Sequence, residues 1–403
     1  MQLTSCQQSA LEALMAFLIS PEQCFVIAGP AGTGKTALIA QAHKHYKKVS
    51  ELNAVIDPDF KPMQWHFTAT TNKAAAVLSE ALDTPCSTIH SFLGLSLKTN
   101  LGKKESSLVQ TRAPQGTGIV VIDEASFIDR ALLKRLFENL PHAKLVFMGD
   151  PAQLTPVRSA DSPVFNCGFQ TVSLNEIVRQ RDQLDLQGVC EDLRNTVLTQ
   201  GKFPKIPLRG ALIHLNQDEF EEALKDNFLN PDWTPEHSRV LCWRNRTVQF
   251  YNQLIQKERT GDIQLAAGDW AVNNESLAGL RTDTKLIVED CQKTTQFDVP
   301  GYRIHTDYGV WFCPEDFSKK ERVMEEFLAT KDFYNARGVQ NTWADIRPLF
   351  ASTVNKSQGS TFEKVFIDLD DIACCRNPDT LRRMLYVAVS RARKQVIFTG
   401  DLV

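Results

Sequence analysis

The chain has 403 residues, of which 43% are hydrophobic, and a net charge of −3. Its length exceeds the size at which a single hydrophobic core stops growing, so two or more domains are expected. The near-neutral charge argues against nucleic-acid binding through a bulk positive field but leaves a local groove open. The sequence contains no apolar run of membrane-spanning length, no signal-peptide pattern and, among ten cysteines, no C-x-x-C pair. These features predict a soluble cytoplasmic protein with reduced thiols.

The first predicted element is an amphipathic helix that follows Thr4 and continues to about Leu18. Gln7 lies in its first turn. A glutamine amide donates and accepts hydrogen bonds at once, which suits the edge of an adenine base. An exposed helical glutamine without a ligand is the commoner arrangement, so Gln7 alone is a weak indication of a nucleotide site.

A glycine-rich loop with the spacing G-x-x-x-x-G-K-T follows the apolar run Cys24–Ala28, which predicts a buried strand. The residues after the loop favour a helix, so backbone N–H groups and a helix N-terminus converge where phosphate binds. The lysine of such a loop reaches the β- and γ-phosphates, and the threonine hydroxyl coordinates Mg²⁺. We therefore expect a nucleoside triphosphate and Mg²⁺. The predicted residues are Gly29, Gly32, Gly34, Lys35 and Thr36.

A second strand is predicted over Gln64–Ala69, with polar residues after it at the start of a helix. The segment Ser87–Leu93 repeats this pattern, with small hydrogen-bond donors and a histidine beside an aromatic residue. Such side chains either cap their own helix or contact nucleic-acid phosphates. Taken alone, the hydroxyls favour capping and the histidine a structural role. The residues concerned are Thr70, Thr71, Asn72, His90 and Ser91.

The apolar strand predicted over Ile119–Ile122 ends in two carboxylates, Asp123 and Glu124. Ligands bind at the ends of strands in parallel α/β sheets, so both acids are expected at the nucleotide. Asp123 is the candidate Mg²⁺ ligand, and Glu124 is the candidate base that accepts a proton from the attacking water. A strand that merely ends in solvated acids is the alternative.

The next predicted strand, Lys144–Met148, precedes the segment Gly149–Val157. Gln153 in this segment is a polar side chain at the carboxyl edge of the same sheet. At that position it would contact the γ-phosphate or its water. We therefore expect Gln153 to report hydrolysis to the residues packed beyond it.

Three strings in this order, GPAGTGKT, VVIDEAS and GDPAQLTPV, resemble motifs I, II and III of superfamily 1 helicases. Residues 174–179, 352–362 and 385–393 resemble motifs IV, V and VI, so the resemblance covers nearly the whole chain. The DEAS box, the QLTPV ending of motif III, the STIHS string and the compact length are similar to the B-type group. That group includes phage Dda and bacterial RecD.

The resemblance implies roles for single residues. It makes Gln7 the adenine contact, and it makes Arg179 and Arg391 arginine fingers, which accelerate phosphoryl transfer roughly 10³- to 10⁵-fold. A surface ion pair is the ordinary alternative for either arginine. Asn355 departs from the histidine usual in motif V and cannot become cationic. Implied contacts to the nucleotide include Gly359, and those to the nucleic acid are Thr70, Thr71, Asn72, His90, Ser91, Thr353, Asn355 and Gln358.

The implied fold class is α/β, with two RecA-like P-loop domains in tandem. A small hairpin, placed where a pin splits the duplex, interrupts the first domain. An SH3-like β-barrel, with a turn at Val299–Gly301 and a charged helix near Lys319, interrupts the second. Its aromatic residues either stack on bases or pack in a core. The expected boundaries are 1–94 and 117–180 for domain 1A, 95–116 for the 1B pin, 181–256 and 348–403 for domain 2A, and 257–347 for the 2B insertion.

The resemblance also implies a function: an ATP-dependent DNA helicase that moves 5′ to 3′ on single-stranded DNA and unwinds tailed duplex DNA. The cofactors are ATP and Mg²⁺. The enzyme would act as a monomer, away from membranes, with replication or recombination proteins as partners. Two alternatives stay open: an ATP-driven RNA helicase, and a remodeller of DNA-bound proteins that opens no duplex.

Overall fold

The structure is a computed structural model that describes residues 3–57, 59–100, 105–113, 117–156, 161–177, 183–206, 208–277 and 279–402, without the side chains of residues 96–100 and 105–108. The chain divides into two compact units. Unit 1 comprises Met1–Pro207 and Asn377–Ser390, and unit 2 comprises Leu208–Arg376 and Arg391–Val403. The boundaries expected from the sequence place residues 181–207 and 377–390 in domain 2A instead, and those boundaries stay a prediction.

The main sheet of unit 1 is parallel. The strands of this unit are β1 (Cys24–Ala28), β2 (Trp65–Ala69), β3 (Ser87–Thr88), β4 (Leu95–Asn100), β5 (Glu105–Gln110), β6 (Gly118–Asp123), β7 (Ala143–Gly149) and β8 (Gln170–Ser173). The sheet has the order β3-β2-β6-β7-β1-β8. Strands β4 and β5 pair with each other as an antiparallel hairpin inside the segment 95–116, of which residues 101–104 and 114–116 lie outside the described residues.

Helices cover both faces of this sheet, which explains why its central strands β1, β6 and β7 are almost entirely buried. The helices are α1 (Ser5–Ile19), α2 (Lys35–Ile56), α3 (Asn72–Leu82), α4 (Ile89–Phe92), α5 (Arg130–Asn139) and α6 (Leu184–Thr199). Side chains alternate along β1: Phe25 and Ile27 pack with residues of α1, α2 and α3, and Val26 packs with residues of α4 and α5. Every residue of β1 is buried as a result.

Unit 2 contains a parallel sheet and an antiparallel sheet. The strands are β9 (Leu212–His214), β10 (Ser238–Cys242), β11 (Trp270–Asn273), β12 (Lys285–Gln296), β13 (Val299–Thr306), β14 (Gly309–Pro314), β15 (Ile346–Pro348), β16 (Ala351–Thr353), β17 (Phe362–Asp368) and β18 (Ala392–Thr399). The parallel sheet has the order β16-β10-β17-β18-β9, and the antiparallel sheet has the order β14-β13-β12-β11-β15. The SH3-like assignment of the antiparallel sheet stays a prediction.

The helices of unit 2 are α7 (Gln217–Phe228), α8 (Asn245–Thr260), α9 (Lys319–Ala329), α10 (Phe333–Thr342), α11 (Val354–Ser357) and α12 (Leu369–Ala373). The charged helix predicted near Lys319 is therefore a pair of helices. The last helix, α13 (Pro378–Ser390), belongs to unit 1 by its contacts. Within the described ranges, no helix is long and apolar enough to cross a membrane.

The antiparallel sheet corrects one expectation and, for Trp311, decides between stacking on bases and packing in a core. The turn predicted at Val299–Gly301 is wrong in position, because the hairpin turns at Phe297 and Asp298, whose φ angles are 50° and 58°. Such left-handed residues are typical of two-residue hairpin turns, and the Pro-Gly pair lies inside β13 instead. Trp311, a candidate for base stacking, is buried in the core of this sheet and donates from Nε1 to Oγ1 of Thr306 at 3.2 Å.

Candidate nucleotide and nucleic-acid site

The phosphate loop connects β1 to α2, and glycines allow its path. Gly34, the N-cap of α2, has a φ of 80°, a conformation that glycine adopts without strain. A Cβ on Gly34 would lie 2.4 Å from Nε2 of Gln7, and a Cβ on Gly29 would lie 2.6 Å from the carbonyl oxygen of Leu174. A larger residue at either position would therefore displace the loop from its neighbours.

The ammonium of Lys35 lies inside this loop. Its Nζ donates to the carbonyl oxygens of Gly29 at 2.7 Å and Pro30 at 3.0 Å. Among the described residues, no side chain caps the N-terminus of α2, which starts at Lys35. The positive end of the helix is therefore open to an external anion, and a triphosphate fits it.

The Gln7 amide connects the start of α1 to the phosphate loop. Oε1 accepts from the backbone N–H of Thr4 at 3.0 Å, and Nε2 donates to the carbonyl oxygen of Thr33 at 2.9 Å. The side chain is buried, so α1 is fastened to the phosphate loop. The contact from Gln7 to adenine stays a prediction.

The two acids lie at the end of β6, beside the phosphate loop. Strands β6, β7 and β1 are neighbours in the sheet, so the segments that follow them emerge at one edge. Asp123 accepts the backbone N–H of Glu124 at 2.8 Å through Oδ1. Burial raises the pKa of the Asp123 carboxyl, and the nearby charge of Lys35 opposes that rise. Glu124 has a φ of 53°, a strained conformation for a residue other than glycine, of the kind that clusters at functional sites.

The segment after β7 packs against these acids. A Cβ on Gly149 would lie 3.1 Å from the backbone nitrogen of Ala125, which shows how closely the two segments approach. Gln153 is buried, with 3% of its surface exposed. Its own carbonyl oxygen accepts from the Arg383 guanidinium on α13 at 2.8 Å, as does that of Pro151 at 2.6 Å. Helix α13 therefore holds the Gln153 segment by its backbone.

A second set of contacts joins α13 to the same segment through Asp150, which is fully buried. The Tyr386 hydroxyl donates to Oδ2 of Asp150 at 2.5 Å, and Arg194 of α6 donates from Nε to Oδ1 at 3.2 Å. Burial and the Asp150 charge raise the pKa of the Tyr386 hydroxyl well above its usual range. Tyr386 and Arg194 border a cavity of about 250 Å³ together with Pro30 and Ala31 of the phosphate loop.

The predicted nucleic-acid contacts of unit 1 lie at the starts of α3 and α4. Thr71 caps α3 by accepting the backbone N–H of Ala74 at 3.1 Å, and Asn72 is the first residue of that helix. Thr70 bonds instead to the acids, because its Oγ1 donates to the carbonyl oxygen of Glu124 at 3.0 Å. Ser91 is exposed on α4. Burial lowers the pKa of the half-buried His90, while Asp129 opposes that change and Arg135 adds to it.

In unit 2, the predicted residues lie around the short helix α11 and the start of β18. Arg391 is almost fully buried and donates to the carbonyl oxygen of Ser360 at 3.2 Å. Thr353 caps α11 by accepting the backbone N–H of Lys356 at 3.3 Å. Gly359 has a φ of 76°, which favours glycine. Asn355 is exposed on α11, Gln358 is buried beside it, and Arg179 lies outside the described residues.

Comparison with known proteins finds relatives among DNA helicases. The sequence matches the AAA domain over residues 2–200 and the UvrD-like helicase C-terminal domain over residues 348–399. It is 25% identical to the ATP-dependent DNA helicase Dda of enterobacteria phage T4, over 98% of this chain and 99% of Dda. The RecBCD subunit RecD of Buchnera aphidicola is 20% identical, over 98% of this chain and 73% of RecD. These matches agree with the resemblance of the sequence motifs to B-type superfamily 1 helicases.

The fold of the chain agrees with these relatives. It matches the structure of Bacteroides Pif1 bound to single-stranded DNA with a TM-score of 0.54 and 18% identity, over 100% of this chain and 93% of that one. The predicted α/β fold with tandem RecA-like domains is confirmed by this likeness. The prediction of an ATP-hydrolysing enzyme with a bound nucleotide is confirmed by the family and its relatives.

Sequence analysis missed the helicase residues that join α13 to the Gln153 segment. Asp150 lies within motif III, but the sequence gives it no role of its own. Arg383 and Tyr386 lie more than 200 residues away from it along the chain. The available indication is their spacing, because residues three apart share one face of a helix. Arg383 and Tyr386 share such a face of α13, and the motif VI arginine, Arg391, follows the end of that helix.

Proposed function

We propose that this protein is an ATP-dependent DNA helicase that moves 5′ to 3′ along single-stranded DNA and separates tailed duplexes. The observation that carries the proposal is the convergence in unit 1. Lys35 in an open phosphate loop, the Asp123–Glu124 pair and the buried Gln153 segment emerge at one sheet edge. The DNA substrate is supported by the relation to Dda, described as an ATP-dependent DNA helicase, and the polarity by the resemblance of the sequence motifs to the B-type group.

The residues at this edge divide the chemistry of hydrolysis among themselves. Lys35 and the N-terminus of α2 bind the phosphates, and Glu124 accepts the proton of the attacking water. Thr36 and Asp123 offer the hydroxyl and carboxylate oxygens that Mg²⁺ prefers, and a cation would offset the cost of a buried carboxylate. Bound Mg²⁺ supplies positive charge to the phosphates. Arg179 and Arg391 are proposed as the arginine fingers that make hydrolysis depend on both RecA-like domains.

Movement requires that the state of the nucleotide reaches the strand. Gln153 is proposed as the sensor of the γ-phosphate, and its segment is bonded to α13 through Arg383 and Tyr386. Thr70 bonds to the backbone of Glu124, so a predicted strand contact is fastened to the predicted base. Alternate tightening of contacts on the two RecA-like domains then gives a ratchet along DNA. The boundaries of those domains, the SH3-like insertion and the monomeric state belong to the same proposal.

Strand displacement tests this proposal directly. Three duplexes are compared, each with one single-stranded tail: a 5′ DNA tail, a 3′ DNA tail or an RNA tail. Each is assayed with ATP and Mg²⁺. We expect displacement from the 5′-tailed DNA only. Preference for the RNA tail would show an RNA helicase, and preference for the 3′ tail would reverse the polarity.

A second readout distinguishes unwinding from remodelling. Translocation is followed on single-stranded DNA by displacement of streptavidin from a biotinylated end, in parallel with the duplex assay. The proposal expects both activities. Streptavidin displacement without duplex opening would show a remodeller of DNA-bound proteins and contradict the proposed helicase activity.

A further inference from the structure

The second half of α2 extends past the part of the helix that packs on the sheet. Its buried positions Leu38, Ile39 and Ala42 lie in the first half, and Ser50 is buried beyond them. Four apolar side chains near the end of the helix are nevertheless exposed. Val49, Leu52, Val55 and Ile56 are exposed to 37%, 66%, 83% and 81%.

Three of these side chains lie on one face of the helix. Val49, Leu52 and Ile56 are spaced three and four residues apart, the repeat that aligns side chains along one side of a helix. Single exposed apolar residues are common, but a contiguous exposed stripe marks an interaction site. We name Val49, Leu52 and Ile56 the α2 stripe.

Stability of the helix itself does not account for the stripe. Exposed valine and isoleucine lower helix propensity relative to alanine, because branching at Cβ restricts their rotamers. Lys44 and Lys48, one turn apart along the edge of the stripe, carry like charges that repel each other. Both features cost the helix a little, and both suit contact with a second molecule.

The charges beside the stripe indicate what that molecule is. Lys44 and Lys48 are exposed, and within the described part of the chain neither of them forms an ion pair. Glu51 is the acidic residue within the same turns. An apolar stripe bordered by free ammonium groups is complementary to an amphipathic segment with carboxylates beside its apolar face.

From this complementarity we propose that the α2 stripe and its lysine edge are a docking surface for an acidic, amphipathic peptide segment of a partner protein. Nucleic acid is disfavoured as the occupant because it leaves the exposed Leu52 and Ile56 without apolar contact. A second copy of this chain would bury the stripe but bring the lysine edges of two helices together, which costs energy. The surface lies outside the proposed hydrolysis site, so it adds a partner to the helicase without changing its chemistry.

The test uses a synthetic, fluorescein-labelled 16-residue amphipathic peptide with leucines on one face and glutamates along its edges. Fluorescence anisotropy measures its binding to the full chain. We expect saturable binding that falls at least tenfold in Leu52→Ser/Ile56→Ser and in Lys44→Glu/Lys48→Glu, and that weakens as salt is raised. A peptide of the same composition in scrambled order, with no apolar face, is the control.

Failure of folding and failure of docking are separated by a second measurement. Both double variants should keep the wild-type urea midpoint and the wild-type ATP hydrolysis rate with single-stranded DNA, because the altered side chains are exposed. Absence of peptide binding, or equal binding by wild type and variants, would overturn the proposal. So would a loss of single-stranded DNA affinity in Lys44→Glu/Lys48→Glu, or sedimentation of a dimer that Leu52→Ser/Ile56→Ser abolishes.

Discussion

The two parallel sheets of the protein use the start of a helix in opposite ways. In unit 1, α2 follows β1, and no described side chain caps its N-terminus. In unit 2, α8 follows β10 and likewise has no side-chain cap, but the buried carboxylate of Asp371 accepts the backbone N–H groups of the two residues before the helix, Trp243 at 2.5 Å and Arg244 at 3.0 Å. A helix N-terminus attracts negative charge in both cases. One unit is therefore open to an anion from outside, whereas the other already holds an anion of its own.

This difference separates a binding site from a structural one within similar folds. The open site carries a glycine loop, a lysine and a carboxylate whose pKa burial raises, so the ionised carboxylate is unfavourable until a cation arrives. The occupied site satisfies its donors internally, with the Thr247 hydroxyl and the Arg244 guanidinium also donating to Asp371 at 2.6 and 2.5 Å. We infer that unit 1 provides the nucleotide chemistry and that unit 2 is built for rigidity at the corresponding edge.

The largest expected effect is that of Glu124→Gln on the open site. Glutamine keeps the size of the side chain but cannot accept a proton, so ATP hydrolysis should fall on the order of 10²- to 10⁴-fold. Steady-state hydrolysis and binding of a fluorescent ATP analogue measure the two steps separately, and binding should persist. Glu138→Gln, at an exposed acid of α5 paired with Lys134, is the control. Hydrolysis within tenfold of wild type would remove Glu124 from the proposed role.

Removal of the internal anion in Asp371→Ala should cost stability. The substitution leaves the buried N–H of Trp243 and the guanidinium of Arg244 without their acceptor, which lowers the free energy of unfolding by about 3 kcal/mol. Urea denaturation measures this loss. Asp371→Asn keeps an acceptor oxygen and should lose less. A cost below about 1 kcal/mol for the alanine variant would mean that α8 does not depend on an internal anion.

Tyr386→Phe should have a smaller effect, on both stability and rate. It removes the hydroxyl that donates to Asp150 and keeps the ring, so the free energy of unfolding should fall by about 1 kcal/mol. If α13 positions the Gln153 segment, kcat for ATP should also fall, by roughly threefold to tenfold, with KM nearly unchanged. Tyr334→Phe, at an exposed tyrosine, is the matched control. A change in stability alone would restrict Tyr386 to a structural role.

The smallest expected effect is a gain in stability from Asp123→Asn without nucleotide. Burial raises the folded pKa of Asp123, so near pH 7 the ionised carboxyl opposes folding. Asparagine removes that penalty, and the urea midpoint at pH 7 should rise slightly. The gain should disappear below about pH 4, the ordinary range of an aspartate, where the wild-type carboxyl is protonated in both states. A less stable variant at pH 7 would show that the open site is not strained by its acid.

The sequence predicts the nucleotide edge well because local constraints determine it. A phosphate loop needs a strand before it and a helix after it, and β1 and α2 lie where Gly29 and Lys35 require them. The acids also follow a strand directly, so their place at the sheet edge is implied by their position in the chain.

Long-range contacts and the position of the hairpin turn could not be predicted from the sequence. The bond from Tyr386 to Asp150 depends on how α13 packs, which no local pattern records. Pro300 and Gly301 suggested a turn, yet the chain turns at Phe297 and Asp298, residues that adopt left-handed angles without a proline or glycine. The sequence also does not predict the difference between the N-termini of α2 and α8, because the carboxylate at α8 comes from Asp371, far along the chain.

ATP hydrolysis with and without single-stranded DNA, in wild type, Lys35→Ala and Lys44→Ala, tests the central claim most directly. Lys44 is an exposed lysine of the same helix, so its variant controls for the loss of one charge from α2. We predict strong stimulation by DNA in wild type and Lys44→Ala, and hydrolysis lost in Lys35→Ala because its ammonium no longer holds the phosphates. An ATP hydrolysis rate that does not change with DNA, or that stays at the wild-type level in Lys35→Ala, would contradict a nucleic-acid motor that hydrolyses ATP at the phosphate loop of unit 1.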